Sequence, residues 1–307
     1  MSDFQSKLEL IKKYSDVSQT QLASMLGVSF PTLNSWINKK STPRQGALLK
    51  IDALYIEHVG NLKITDTVLA QKQSQLAECK KQHKDPFGFI MSRNDIYDSF
   101  LLAMTYHTNS IEGSTFNEPE VKAVLFDDVT VPNKSMIEHQ EAKNHQAALG
   151  FIMRWIRDGD GVLNEALIKR LHEILMNGIM HNAGQYRTHK VRIAGSAVVT
   201  HNPLSIEKNM KTFVKKCNVP STDAVLHIAK MHAYFELVHP FSDGNGRVGR
   251  LLILAQACKY KLAPPLIKKE KKLAYYNCLQ ESQVKDNHLP LTAFMYEAFC
   301  DGYRLLE

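Results

Sequence analysis

Apolar residues recur at steps of three and four along most of this chain, as in LIKRLHEILMNGIM (167–180) and AVLHIAKMHAYFELV (224–238). That spacing lines one face of a helix, so the expected fold class is all-α, mainly helical. One stretch departs from it. YRTHKVRIAGSAVVTHNP (186–203) is rich in Val, Ile and Thr, is interrupted by Ala-Gly-Ser and closes on Asn-Pro, which predicts a short β-hairpin among the helices. No internal repeat and no low-complexity tract is present.

With 307 residues, 44% of them hydrophobic, the chain can bury a substantial core, arranged as one large and one small domain or as two of moderate size. No run reaches the roughly 18 apolar residues needed to cross a bilayer, and the first residues lack a secretory signal's apolar stretch. The expectation is a cytoplasmic protein with no membrane partner. Five cysteines (Cys79, Cys217, Cys258, Cys278 and Cys300) are odd in number and never in a C-x-x-C pair, which points to reduced, buried thiols. A net charge of +7 permits an acidic partner without selecting one.

Residues 1–60 read as a separate unit. Ser18 precedes QTQLASML, which Gly27 can end; Ser29 then caps FPTLNSWI, with Pro31 in its first turn and Leu33, Trp36 and Ile37 facing inward. Two short helices about a Gly-centred turn follow the helix-turn-helix plan. Residues 18–44 resemble the helix-turn-helix of phage-repressor-like regulators, which implies that Thr32, Asn34, Ser35, Asn38 and Lys39 face a DNA groove. The unit holds seven Lys/Arg against five Asp/Glu, a net charge of only +2. That is a weak phosphate-binding footprint, so DNA binding and protein docking both stand. Residues 61–92 supply a linking helix and the break KDPFG, and 93–307 form the larger domain.

The chemistry concentrates in HPFSDGNGRVGR, 239–250. Pro240 disfavours helical geometry at the residue before it, so the helix 224–238 stops at His239 and leaves the imidazole facing a loop. A second apolar helix resumes after the glycines, which therefore lie at a helix N-terminus, where free N–H groups and the dipole favour an anion. Arg247 and Arg250, three apart, reach oxygens of one polyphosphate. Asp243 is a hard carboxylate of the kind that holds Mg²⁺ beside phosphates, and a neutral histidine is suited to taking a proton from a hydroxyl. The residues read as nucleotidyl or phosphoryl transfer.

These twelve residues resemble the signature of the Fic family, H-x-F-x-[DE]-G-N-G-R-x-x-R, at every specified position. The resemblance implies a Fic-type helical core that moves AMP from ATP, with Mg²⁺, to a Tyr, Ser or Thr hydroxyl of a protein, releasing pyrophosphate. It implies His239 as general base, Phe241 as anchor of the loop and Asp243 as Mg²⁺ ligand. Gly244, Asn245, Gly246, Arg247 and Arg250 would bind the nucleotide. The hairpin, through Val191, Arg192, Ile193, Ala194 and Gly195, resembles the family's flap, which docks the target segment by strand pairing.

YHTNSIEGSTF (106–116) places Thr108 and Glu112 four apart on one helical face with Gly113 to end the helix. T-N-S-I-E-G resembles the Fic inhibitory motif [ST]-x-x-x-E-[GN], which implies an inhibitory helix at about 100–113 whose Glu112 pairs with Arg250 and so misplaces ATP. The same Glu positions a water for AMP removal in some members. His232 and Glu236 lack the H-E-x-x-H pattern and read as packed or hydrogen-bonded rather than as zinc ligands. Tyr275 and Tyr276 read as core or groove residues or as self-modification sites, and Met153, Met176, Met180 and Met231 as core. Two alternatives remain beside AMP transfer: a DNA-binding regulator with a silent or nucleotide-sensing Fic domain, and a Fic enzyme that uses another donor or removes AMP.

Overall fold

A computed structural model describes residues 3–307 other than 16, 60, 61, 63, 160, 194, 195 and 197. The first four helices are α1 (Asp3–Tyr14), α2 (Gln19–Leu26), α3 (Phe30–Ile37) and α4 (Gln45–His58). Ser18 accepts from the N–H of Gln21, whose side chain returns the bond to the Ser18 N–H. Gly27, at φ 69°, closes α2 with a left-handed cap that a Cβ would strain. Ser29 caps α3 through the N–H of Thr32. Leu8, Ile11, Leu22, Leu26, Leu33, Trp36 and Ile51 bury the faces of these helices in a cluster of their own.

A second, larger cluster begins at Leu76. It is built from α5 (Asp66–Gln82), α6 (Pro86–Ser92), α7 (Asn94–Glu112), α8 (Glu118–Phe126), α9 (Met136–Asp158), α10 (Glu165–Leu175), α11 (Ile206–Cys217), α12 (Ala224–Val238), α13 (Asn245–Lys259), α14 (Lys272–Lys285) and α15 (Leu289–Tyr303). α13 is buried from Arg247 through Ala257 on every side, as a helix at the centre of a bundle must be, and it packs against α12, α10, α9 and α7. This packing brings the C-terminal end of α7 to the N-terminal end of α13. The two clusters meet where α4 packs on α14, with Asn277 donating to the carbonyl of His58 (3.2 Å). No helix among the described residues is long and apolar enough to cross a membrane.

The expected β-hairpin takes a different form. Between Tyr186 and Asn202 no strand occurs among the described residues, and Ala194 and Gly195 of the expected flap lie outside them. Its two arms run side by side, tied by side chains: Thr200 Oγ1 donates to the Val191 carbonyl (3.0 Å), and the Arg187 guanidinium donates to the carbonyls of His189 (2.6 Å) and His201 (2.7 Å). An isolated two-stranded ribbon is only marginally stable, so Val, Ile and Thr content without a third strand does not enforce a ladder.

Candidate active site

α12 ends at Val238, and His239 takes a left-handed conformation, φ 49° and ψ 62°, with its N–H on the Phe235 carbonyl (2.9 Å). Histidine is among the residues that tolerate this region. Its Nδ1 lies 3.2 Å from the Glu236 carbonyl, an acceptor, so the neutral ring carries its proton on Nδ1 and presents a bare Nε2. Burial, aided by the charge of Arg187, pushes the imidazole below its ordinary value of 6.5, although the Glu236 carbonyl opposes the shift. The ring is therefore unprotonated at neutral pH.

The loop after it is held from within. Phe241 is fully buried and stacks on His172, with centroids 3.8 Å apart and planes 2° apart. Asn245 spends its side chain on the loop: its amide oxygen accepts from the Phe241 N–H (2.9 Å) and its amide nitrogen donates to the Phe241 carbonyl (2.9 Å). What the loop leaves toward a ligand is backbone, the first-turn N–H groups of α13, which no intrahelical carbonyl can satisfy. Gly244 starts α13 at φ 75°, and a Cβ there would lie 2.8 Å from Met176 Sδ. Gly246 has no room for a side chain either, because a Cβ would overlap Glu112 Oε1.

Both arginines of the motif are buried. Arg247 Nη1 donates to Glu141 Oε1 (2.7 Å), with Asp243 Oδ2 3.9 Å from Nη2. Arg250 donates from Nε to the Thr108 hydroxyl (2.5 Å) and from Nη2 to the Thr108 carbonyl (3.3 Å) and to Glu112 Oε1 (2.5 Å). Burial alone would raise the Glu112 carboxyl, but the charge and hydrogen bond of Arg250, with the charges of Arg247 and Lys272, outweigh it and hold it below its ordinary 4.5. Burial opposes the Arg250 charge too, and Glu112 together with Tyr275 and Tyr276 more than offsets this, so its pKa is raised. Arg250 Nη1 and Arg247 Nε are buried and bonded to nothing among the described residues. Two buried cations with unused donors beside a helix N-terminus make a site for an anion.

Asp243 stands at the rim, 67% exposed, its Oδ1 accepting from the Gly244 N–H (2.6 Å). Among the described residues no group of three or more His, Cys, Asp or Glu could hold a metal ion, so a cation here would need oxygens from the ligand as well. His232 is hydrogen-bonded within the core: its Nε2 lies 2.5 Å from the Tyr275 hydroxyl.

Two residues that shape the site carry no signal in the motif. The Arg187 guanidinium, besides tying the flap arms, donates to the carbonyls of His239 (2.7 Å) and Val238 (3.3 Å), and its N–H meets the Pro240 carbonyl (2.9 Å). It fixes the base and the flap to each other. His172 accepts from the Gly184 N–H at Nδ1 (2.8 Å), which leaves Nε2 to donate to the Asp243 carbonyl (3.0 Å); burial pushes it down to about 4.

Residues 162–257 match the Fic/DOC family and residues 15–56 the helix-turn-helix family. Among curated relatives, Protein adenylyltransferase fic-1 of Caenorhabditis elegans is 30% identical over 186 residues, 59% of this chain and 36% of that protein. Protein adenylyltransferase Fic of Nematostella vectensis is 25% identical over 260 residues, 76% of this chain and 60% of that protein. The chain thus spans about a third to three fifths of the length of these relatives. Two solved structures share its fold. One is a Fic domain containing signaling protein from Bacteroides thetaiotaomicron, with a TM-score of 0.65 and 23% identity over 78% of this chain and 96% of that one. The other is Fic-1 from C. elegans, with a TM-score of 0.67 and 21% identity over 94% of this chain and 84% of that one.

Proposed function

Because residues 162–257 are a Fic domain, preceded by a helix-turn-helix, we propose that this protein is an adenylyltransferase that moves AMP from ATP to a Tyr, Ser or Thr hydroxyl of a protein, restrained by its own Glu112. The observation that carries the reading is the unprotonated Nε2 of His239 beside the open N-terminus of α13 and its two buried arginines. The hydroxyl oxygen attacks the α-phosphorus while Nε2 takes the hydroxyl proton; the bond from that phosphorus to the bridging oxygen breaks, and pyrophosphate leaves.

The first-turn N–H groups of α13 from Asn245 to Arg247 hold phosphate oxygens, and the Asn245 side chain keeps the loop in the shape that aims them. Arg247 pairs with the phosphate chain. Arg250 pairs with the γ-phosphate once Glu112 has released it. Asp243, an exposed hard carboxylate beside the phosphate site, fits Mg²⁺, which when bound neutralises phosphate charge. The arms around Val191, Arg192 and Ile193, continuing through Ala194 and Gly195, dock the target segment by strand pairing. With Glu112 on Arg250, ATP lies with its α-phosphate out of line for attack. A second reading concerns the N-terminal unit: Asn34, Asn38 and Lys39 are exposed on and just after α3, which supports DNA binding through residues 18–44. A duplex shift that salt abolishes would support it, and no shift at low salt would remove it.

The test of the transfer is the intact mass of Glu112→Gly, with and without His239→Ala, after incubation with ATP, Mg²⁺ and candidate target proteins. The expected result is an added AMP, on the protein or on a target, that requires His239. Absence of transfer with Glu112→Gly, or its persistence with His239→Ala, would overturn the assignment.

A further inference from the structure

The Glu236 side chain has no task in this mechanism, although it is the acid nearest the base. It sits on α12 one turn before His239, 5% exposed, with Oε2 3.8 Å from His239 Nδ1 and Oε1 bonded to nothing among the described residues. α13 comes this close because residue 249 is glycine: a Cβ there would overlap Glu236 Oε1 and stand 3.1 Å from His232 Cε1. The groups facing the carboxyl are His232 on its own helix, His239 on the loop, Arg250 from α13, Tyr275 and Tyr276 from α14, and Glu112 from α7. Burial holds His232 neutral, down to about 3, and its Nδ1 also lacks a partner. A buried carboxyl with an unbonded oxygen costs folding free energy, which makes its place under the base of the reaction notable as chemistry rather than packing.

We propose that Glu236 is a positioning residue for His239: its carboxyl stands 3.8 Å behind the Nδ1 side of the ring, and when ionised it stabilises the imidazolium formed as Nε2 takes the target's hydroxyl proton. The proposal rests on the reading of His239 as the base. Nδ1 keeps its proton throughout, donating to the Glu236 backbone carbonyl (3.2 Å), Nε2 gains one from the hydroxyl, and the Glu236 carboxyl, 3.8 Å from Nδ1, supplies the countercharge. Burial pushes the Glu236 carboxyl up to about 8, with Glu112 adding to the shift and Arg250 opposing it. At neutral pH it is a neutral neighbour that gives the imidazolium no countercharge. Above that range it is an anion, so transfer speeds up as pH rises through the Glu236 ionisation. Glu112 repels the charged form; its removal moves the ionisation to lower pH, and the brake therefore also withholds the anion from the base.

The experiment follows the His239 ring by NMR in the full chain labelled at histidine, with His239→Ala for assignment. The ring resonances should show their own titration below 6.5 and a second step near 8. Glu236→Gln, of equal size, should abolish the second step and leave the first, and Glu236→Asp should retain one. A second step that survives in Glu236→Gln, or is absent from the parent protein, overturns the proposal whether or not AMP is transferred. In the Glu112→Gly background kcat should rise about tenfold across the step, the effect of one unit of imidazole pKa, and be flat in Glu236→Gln with the KM for ATP within about twofold. Equal pH profiles would also overturn it. No transfer by Glu112→Gly at any pH would instead remove the transferase reading, and the NMR result would still decide the role of Glu236.

Discussion

Replacing Glu112 by Gln removes the charge that holds Arg250 while keeping the length of the side chain and the helix propensity of the last α7 turn. Arg250 is 6% and Glu112 29% exposed, so the pair lies between two limits. An exposed ion pair contributes about 0–1 kcal/mol, whereas a buried pair broken on one side costs about 3–5 kcal/mol. Thr108 still accepts from Nε and Nη2 in the variant, which caps the loss. The expected destabilisation is about 2 kcal/mol, which in a protein of this size lowers Tm by roughly 3 °C. Freeing the guanidinium should strengthen ATP binding. A charge-assisted bond to a phosphate is worth about 1.5–3 kcal/mol, or roughly 10- to 100-fold. Thermal unfolding of both proteins with and without saturating ATP and Mg²⁺ reads both effects, and ATP should raise the variant's Tm by more. The Glu112 carboxyl is held below 4.5, so its stabilisation is fully present above that value and is lost as pH falls through the lower folded value. The two proteins should converge in acid. Equal Tm values at neutral pH, or equal stabilisation by ATP, would refute the reasoning.

Gly244→Ala forces a Cβ into a left-handed position and against Met176 Sδ, and should cost about 2 kcal/mol in urea unfolding and weaken nucleotide binding; unchanged values would show that the loop does not need this glycine. Arg187→Met keeps the apolar stem but removes the donors to the carbonyls of His189, His201, Val238 and His239. It should cost about 3 kcal/mol and expose 186–203 to protease, and unaltered protection would refute the clamp. Burial lowers the pKa of His145 and His232 to about 3 and of His172 to about 4, so below 6.5 the unfolded chain takes up protons that the native state refuses. Stability should fall as pH drops from about 6.5 to about 4, by of order 1 kcal/mol per pH unit for each histidine, and a flat profile over that window would show that these rings are not neutral in the native state.

The helix ends and the motif were legible because they are local. Ser18, Gly27 and Ser29 cap α2 and α3 through bonds spanning a few residues, and Pro240 stops α12 just before His239 whatever lies elsewhere in the chain. The 3.6-residue periodicity likewise set the helical class, since each turn buries its face independently of topology. The pairing of Glu112 with Arg250, 138 residues apart, was expected only through a family resemblance, because no spacing rule joins residues that distant. Arg187 was invisible as a clamp: one arginine in an extended, β-rich run has no local signature, and its acceptors are carbonyls from three segments. The same holds for His172, whose stacking on Phe241 depends on how α10 meets the loop. The expected hairpin forms no strand pair among the described residues, because composition sets backbone preference, whereas a ladder needs a neighbouring edge. Chemistry carried by side chains within a turn of one another could be read from the chain. Which carboxylate occupies an arginine, which carbonyls an arginine collects and which acid lies beneath the base were decided by helices closing on one another around α13, because burial and long-range contact exist only in the assembled fold.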